Sequence, residues 1–163
     1  MRRLIFLIFL MSPAFGAKDT ARIFDAKFGP FQYHFRPLEG ITFYRSKVFL
    51  KDKILIGEIK KKTVTGMIQN QWFPASIKEE ELCDGISKRL FPTSKVVWKK
   101  VKTSDFLICD PTENKKVGAS IFVVPTKMPI KGMKVRSVLQ FQWNEKIASR
   151  ELATRILESL RYE

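Results

Sequence analysis

Residues 134–143 alternate with a period of two: Val135, Ser137, Leu139, Phe141 and Trp143 fall on one side, Arg136, Val138, Gln140 and Gln142 on the other. Successive side chains of an extended chain point to opposite faces, so the pattern commits the segment to a sheet that rests one face on a core. It reads as a half-buried antiparallel strand. Phe31, Tyr33 and Phe35 alternate with Gln32, His34 and Arg36 in the same way after a Gly29-Pro30 turn. The β-branched-rich runs 41–50 and 54–59 are joined by Lys51-Asp52-Lys53, a polar link that suits a hairpin. Segments 64–73, 95–102 and 106–109 follow as strands. Segment 117–125 is apolar on both sides, with Ala119, Ile121 and Val123 against Phe122 and Val124, which predicts a central strand covered on both faces.

Two stretches carry the helical period instead. Ser76 followed by Glu79 has the pattern of a capping box, with Pro74 upstream and Glu80 and Glu81 where the helix dipole favours negative charge. A helix is expected over 77–90, stopped by Pro92, with Leu82, Cys83, Ile86 and Leu90 on its apolar arc. Steps of four through Ala148, Leu152, Ile156 and Leu160 predict a second helix over 147–162. Its polar face mixes both charge signs, which suits packing on a sheet rather than lying on a membrane. The expected fold class is α+β: a two-layer domain built on a mostly antiparallel sheet of about six to eight strands, with both helices, 77–90 and 147–162, on one face.

The N-terminus follows a different logic. Arg2 and Arg3 precede an unbroken apolar run from Leu4 to Met11, which mostly small residues then close, the three-part layout of a secretory signal peptide. Eight apolar residues rise only about 12 Å as a helix, against a hydrocarbon core of roughly 30 Å, so this run is no transmembrane segment. Ala14 and Gly16 place the cut after Gly16, with a cut after Ala17 as the near alternative. The expected organisation is a cleavable signal peptide at 1–16 and a single α+β domain at 17–163, exported to the periplasm or secreted.

Export gives the two cysteines a meaning. Cys83 and Cys109 are the only pair available, and an oxidising compartment favours a disulfide that closes a loop of about 27 residues. Neither has the Cys-x-x-Cys spacing of a redox site, and together with His34 they match no standard metal-ligand spacing. No metal and no cofactor are expected. His34, the only histidine, falls on the polar side of its strand without a Ser or Cys nucleophile context, and reads as a solvent-facing sheet residue. No nucleophile elbow, zinc-protease motif, phosphate loop or dinucleotide fingerprint is present.

Lys and Arg number 30 against 16 Asp and Glu; with Arg2 and Arg3 assigned to the leader, 28 against 16 leaves +12 on the exported domain. A field of that sign attracts anionic partners, and export excludes cytosolic nucleic acid as the use of it. The basic residues that lie beside aromatics or in runs are Arg45, Lys47, Lys60, Lys61, Lys62, Lys99, Lys100 and Arg136, and these are the candidate anion-binding residues. The Lys60 to Lys62 triplet has a second physical reading, protection of a strand edge against pairing with another molecule. The sequence thus points to an exported, basic, non-catalytic domain that binds or assists an anionic envelope component: a polymer, a lipid surface or an acidic protein. Two alternatives stay open, a periplasmic carrier or chaperone-like domain for an apolar ligand or protein segment, and a hydrolase with carboxylates brought together by the fold.

Overall fold

The computed structural model describes residues 23–45, 53–58, 63–111, 119–146 and 149–163. The expected leader, Lys47, the Lys60 to Lys62 triplet, residues 112–118 with the first two positions of the strand expected at 117–125, and the expected first turn of the second helix at 147–148 lie outside the described residues. The strands are β1 (Phe24–Phe28), β2 (Phe31–Phe35), β3 (Ile41–Tyr44), β4 (Lys53–Glu58), β5 (Thr63–Pro74), β6 (Lys99–Lys102), β7 (Phe106–Asp110), β8 (Ser120–Pro125), β9 (Val135–Trp143) and β10 (Leu160–Tyr162). Helix α1 (Leu82–Leu90) follows β5, and α2 (Arg150–Ser159) precedes β10. Among the described residues no helix is long and apolar enough to cross a membrane.

The mostly antiparallel α+β character is present, but the ten strands form two sheets rather than one. Seven pair in the order β3-β4-β5-β9-β8-β7-β6, and three in the order β1-β2-β10, every pairing antiparallel. Alternation along the strands decides what each face of the large sheet meets. Ile68, Ile121, Val123, Leu139 and Phe141 point toward the small sheet, joining Ala26, Phe28, Phe31, Tyr33 and Phe35 and the α2 residues Ala153 and Ile156 in one core. Phe73, Phe122, Val124 and Val138 point the other way, joining Leu82, Cys83 and Ile86 of α1 in a second core.

The two helices therefore do not share a face. α1 covers one side of the large sheet, while α2 and the small sheet cover the other, which makes three layers. This also corrects the reading of β9 as half-buried: Val138 and Leu139, neighbours on opposite faces, are both 0% exposed. β8, expected to be doubly covered, is buried at every position.

Both helices end differently from their sequence patterns. Ala75 and Ser76 sit in a turn closed by Ile77 N donating to Pro74 O at 3.4 Å, and Glu79–Glu81 forms one 3₁₀ turn before α1 begins at Leu82. No side-chain capping bond forms at that turn or at the start of α1, because Glu79 is engaged elsewhere, 2.6 Å from Lys102 on β6. At the C-terminus α2 stops at Ser159, whose hydroxyl donates to Ile156 O. Leu160–Tyr162 then pairs with β2, where Leu160 stays buried and Tyr162 packs on Tyr33 with ring centroids 5.5 Å apart.

Cys83 of α1 and Cys109 of β7 form the expected disulfide, their Cα atoms 5.5 Å apart, which ties the helix to the sheet beneath it. Between the two sheets lies a buried polar chain: the Tyr33 hydroxyl donates to Ser137 Oγ at 2.6 Å, and the Ser137 hydroxyl donates to Asn70 Oδ1. Burial pushes the Tyr33 pKa far up, against a smaller lowering from Ser137.

Candidate functional site

α1 covers only part of its face of the large sheet. It sits over the β7, β8 and β9 rows and the Phe73 end of β5. Toward β3 and β4, none of the described elements packs on that face. Cross-strand register shows what is left there. Gln69 opposes Lys53 on one side and Gln140 on the other; Met67 opposes Leu55 and Gln142; and Tyr44 opposes Leu55. Residues paired in an antiparallel ladder share a face, so these side chains form one surface, with Gln71 and Ser120 alongside.

Its character is that of uncharged amides. Gln71 Nε2 donates to Gln140 Oε1 at 3.2 Å, and Gln140, only 6% exposed, is held in place by that bond. The Tyr44 ring lies over the backbone of Gly57, so near that a Cβ there would approach it at 3.2 Å, and partial burial raises the Tyr44 pKa. Phe43, its neighbour, faces the opposite way into the core, with ring centroids 5.0 Å from Phe35 and 5.6 Å from Phe24.

At one margin this surface opens into a groove of about 440 Å³ lined by Leu55, Val64, Thr65, Gly66, Met67, Ala119, Ser120, Gln142, Trp143 and Asn144. Local backbone chemistry shapes it. The β4–β5 register slips between Ile56 and Gly57, and Thr65 Oγ1 donates to Ile56 O at 3.3 Å. At Gly66 the strands approach so closely that a Cβ would lie 2.6 Å from the Gln142 backbone oxygen. No carboxylate is among the described lining residues. Glu58 ends β4 and Thr63 begins β5 on this same margin, and Pro111 and Ala119 adjoin the ends of β7 and β8.

The described candidate anion-binding residues, Arg45, Lys99, Lys100 and Arg136, do not converge. Arg45 follows β3, where its guanidinium donates to Asp25 O at 3.3 Å, whereas Lys99 and Lys100 lie on β6 at the opposite end of the strand order. Six inter-strand spacings separate those edges, about 29 Å. Lys100 Nζ donates to Glu80 O at 3.1 Å and lies 3.5 Å from Asp84 Oδ2, so it and Lys102 are tied to acidic residues at the start of α1. Lys99 is exposed on the other face of β6, opposite Asp110, which pairs with Arg150 of α2. Charged, short and exposed, β6 has the chemistry of a protected edge. Arg136 on β9 is half-buried; burial lowers its pKa, and Glu79 acts in the opposite direction.

His34 is half-buried on the outer face of the small sheet, its Nδ1 2.6 Å from Asp25 Oδ1 and its Nε2 3.4 Å from Glu163 Oε2. No group of three or more potential metal ligands occurs among the described residues. The sequence pattern already placed Gln140 and Gln142 outward, but not Gln69 and Gln71. The available signal was the alternation Met67, Gln69, Gln71, Phe73, a polar row that closes on an apolar residue where α1 begins to cover it. Comparison with protein-family models finds no match to this chain, and no curated protein matches it.

Proposed function

We propose that this chain is an exported, basic, non-catalytic domain that binds an anionic component of the cell envelope, and that the groove margin of the large sheet makes the contact. The observation that carries the reading is charge distribution. The groove has no carboxylate among its described lining residues, and in sequence the segments 59–62 and 112–118 hold Lys60, Lys61, Lys62, Lys115 and Lys116 against Glu113, with Glu58 adjoining the first. Unbalanced charge of this kind raises the local concentration of an anionic polymer and fades with ionic strength. Lys99, Lys100 and Arg45 serve solubility and edge protection in this reading.

The test is retention of the exported protein on immobilised acidic polysaccharide, nucleic acid and anionic liposomes across a salt series. Retention should fall steeply as salt rises, and K60E/K61E/K62E should elute at lower salt than the parent chain. Binding indifferent to salt, or no binding to any of the three, overturns the reading. The apolar groove residues Leu55, Val64 and Met67 favour a second reading, a carrier for an apolar ligand; lipid copurifying with the protein would support it.

A further inference from the structure

The uncovered part of the large sheet has an unusual composition for a solvent-facing surface. Such faces are ordinarily dressed with lysine, glutamate and threonine, whose charges keep the sheet soluble. Here Gln69, Gln71 and Gln142, each partly exposed, occupy neighbouring positions on β5 and β9, and Gln71 is held by its bond to the buried Gln140. Each carboxamide offers one acceptor oxygen and two donor hydrogens, the set that satisfies a hydroxyl group able both to give and to receive a hydrogen bond. Ordering Gln71 beforehand, through its bond to Gln140, reduces the entropy lost on binding. Tyr44, laid over Gly57 on the same face, offers the flat apolar ring against which the C–H face of a sugar packs. Lys53 opposes Gln69 on this face, and Arg89 of α1, which donates to Trp72 O, stands at its covered margin.

We infer that this surface reads an acidic polysaccharide: the glutamine amides contact ring hydroxyls, Tyr44 stacks on a sugar face, and Lys53 pairs with a carboxylate, sulfate or phosphate of the chain. The inference rests on the anion-binding reading and specifies its ligand. Charge complementarity selects an acidic glycan over a neutral one, since a cation set among neutral amides gains from an anionic repeat. A peptide strand would add at a sheet edge through backbone groups, and a lipid would need an enclosed apolar cavity; an open amide face suits neither.

The probe is a polygalacturonate oligomer, with neutral dextran, single-stranded DNA and anionic phosphatidylglycerol vesicles as comparisons, titrated into the exported protein. Polygalacturonate should bind and dextran should not. Q69A/Q142A should weaken polygalacturonate binding about tenfold, as loss of two hydrogen-bonding groups requires, with little change in its salt dependence. K53Q should weaken binding and reduce its salt dependence. In the parent protein, the side-chain amide NMR signals of Gln69, Gln71 and Gln142 should shift on titration, a readout that does not depend on any variant folding. Parent-level binding by Q69A/Q142A, or amide signals that do not move, overturns the inference while leaving the anion-binding reading standing. Salt-sensitive binding of DNA or vesicles without polygalacturonate does the same. Absence of binding to every anionic probe overturns both.

Discussion

The buried Tyr33, Ser137 and Asn70 chain makes a quantitative prediction about what holds the two sheets together. Tyr33 belongs to the small sheet, Ser137 and Asn70 to the large one, and Tyr33 and Ser137 are both 0% exposed. S137A removes the acceptor of the Tyr33 hydroxyl and the donor to Asn70 Oδ1 together. Each buried group left without its partner costs about 1–3 kcal/mol, so the variant should lose about 2–6 kcal/mol. Y33F removes one hydroxyl and leaves the Ser137–Asn70 bond intact, at a cost of about 1 kcal/mol. The double variant has no tyrosine hydroxyl to orphan, and should therefore cost about 1–3 kcal/mol less than the sum of the singles. Urea unfolding of the four proteins, read by tyrosine and tryptophan fluorescence and by far-ultraviolet circular dichroism, measures the coupling. At about 3 °C per kcal/mol for a domain of this size, the S137A midpoint should drop by about 6–18 °C in a thermal scan. If the two costs add to within about 0.5 kcal/mol, the hydroxyls are not energetically coupled and the polar chain does not dock the sheets.

The disulfide and the tyrosines give two further expectations. Cys83 and Cys109 are 26 residues apart, so the chain-entropy model assigns their bond about 3–4 kcal/mol, and C83A/C109A should melt about 10 °C below the parent; a loss of under about 3 °C contradicts that entropic account. Burial raises the Tyr33 pKa, so the folded protein keeps a proton that the unfolded chain releases above about pH 10. The stability this proton provides is complete below that pH and lost above it, at about 1.4 kcal/mol per pH unit for one tyrosine. Base titration of stability should be correspondingly shallower in Y33F, and equal slopes for the two proteins would refute the assignment.

Period-two alternation made part of the sheet legible because burial of one face leaves a repeating mark in the residues, and it located β2 and β9; β4 was legible as a β-branched-rich run, and β8 as a segment apolar on both sides. It could not resolve the ends. Ile156 and Leu160, four apart, satisfy a helical stripe equally well whether the chain continues as helix or turns into a three-residue strand, since Leu160 is buried either way. The capping pattern at Ser76 failed for a reason no local rule contains: Glu79 meets Lys102, a partner 23 positions away that only the folded sheet supplies. The candidate cations were chosen by their neighbours in sequence, whereas strand order sets their spacing, and β3 and β6 lie at opposite ends.

One row of β9 carried more information than its polarity suggested. Arg136, Val138, Gln140 and Gln142 all point to the α1 side, and a single valine among polar residues looks like noise until the helix is in place. Val138 is 0% exposed under α1, while Gln140 and Gln142 continue past it. Gln140 is still buried at 6% exposed, opposite Phe122, and only at Gln142 does the row become partly exposed, so covering of the sheet ends between those two amides. A surface meant only for water would carry charge beyond that point. Neutral amides there, with Gln71 bonded to Gln140, are the feature on which the acidic-glycan proposal is built, and the Gln69 and Gln142 substitutions test it.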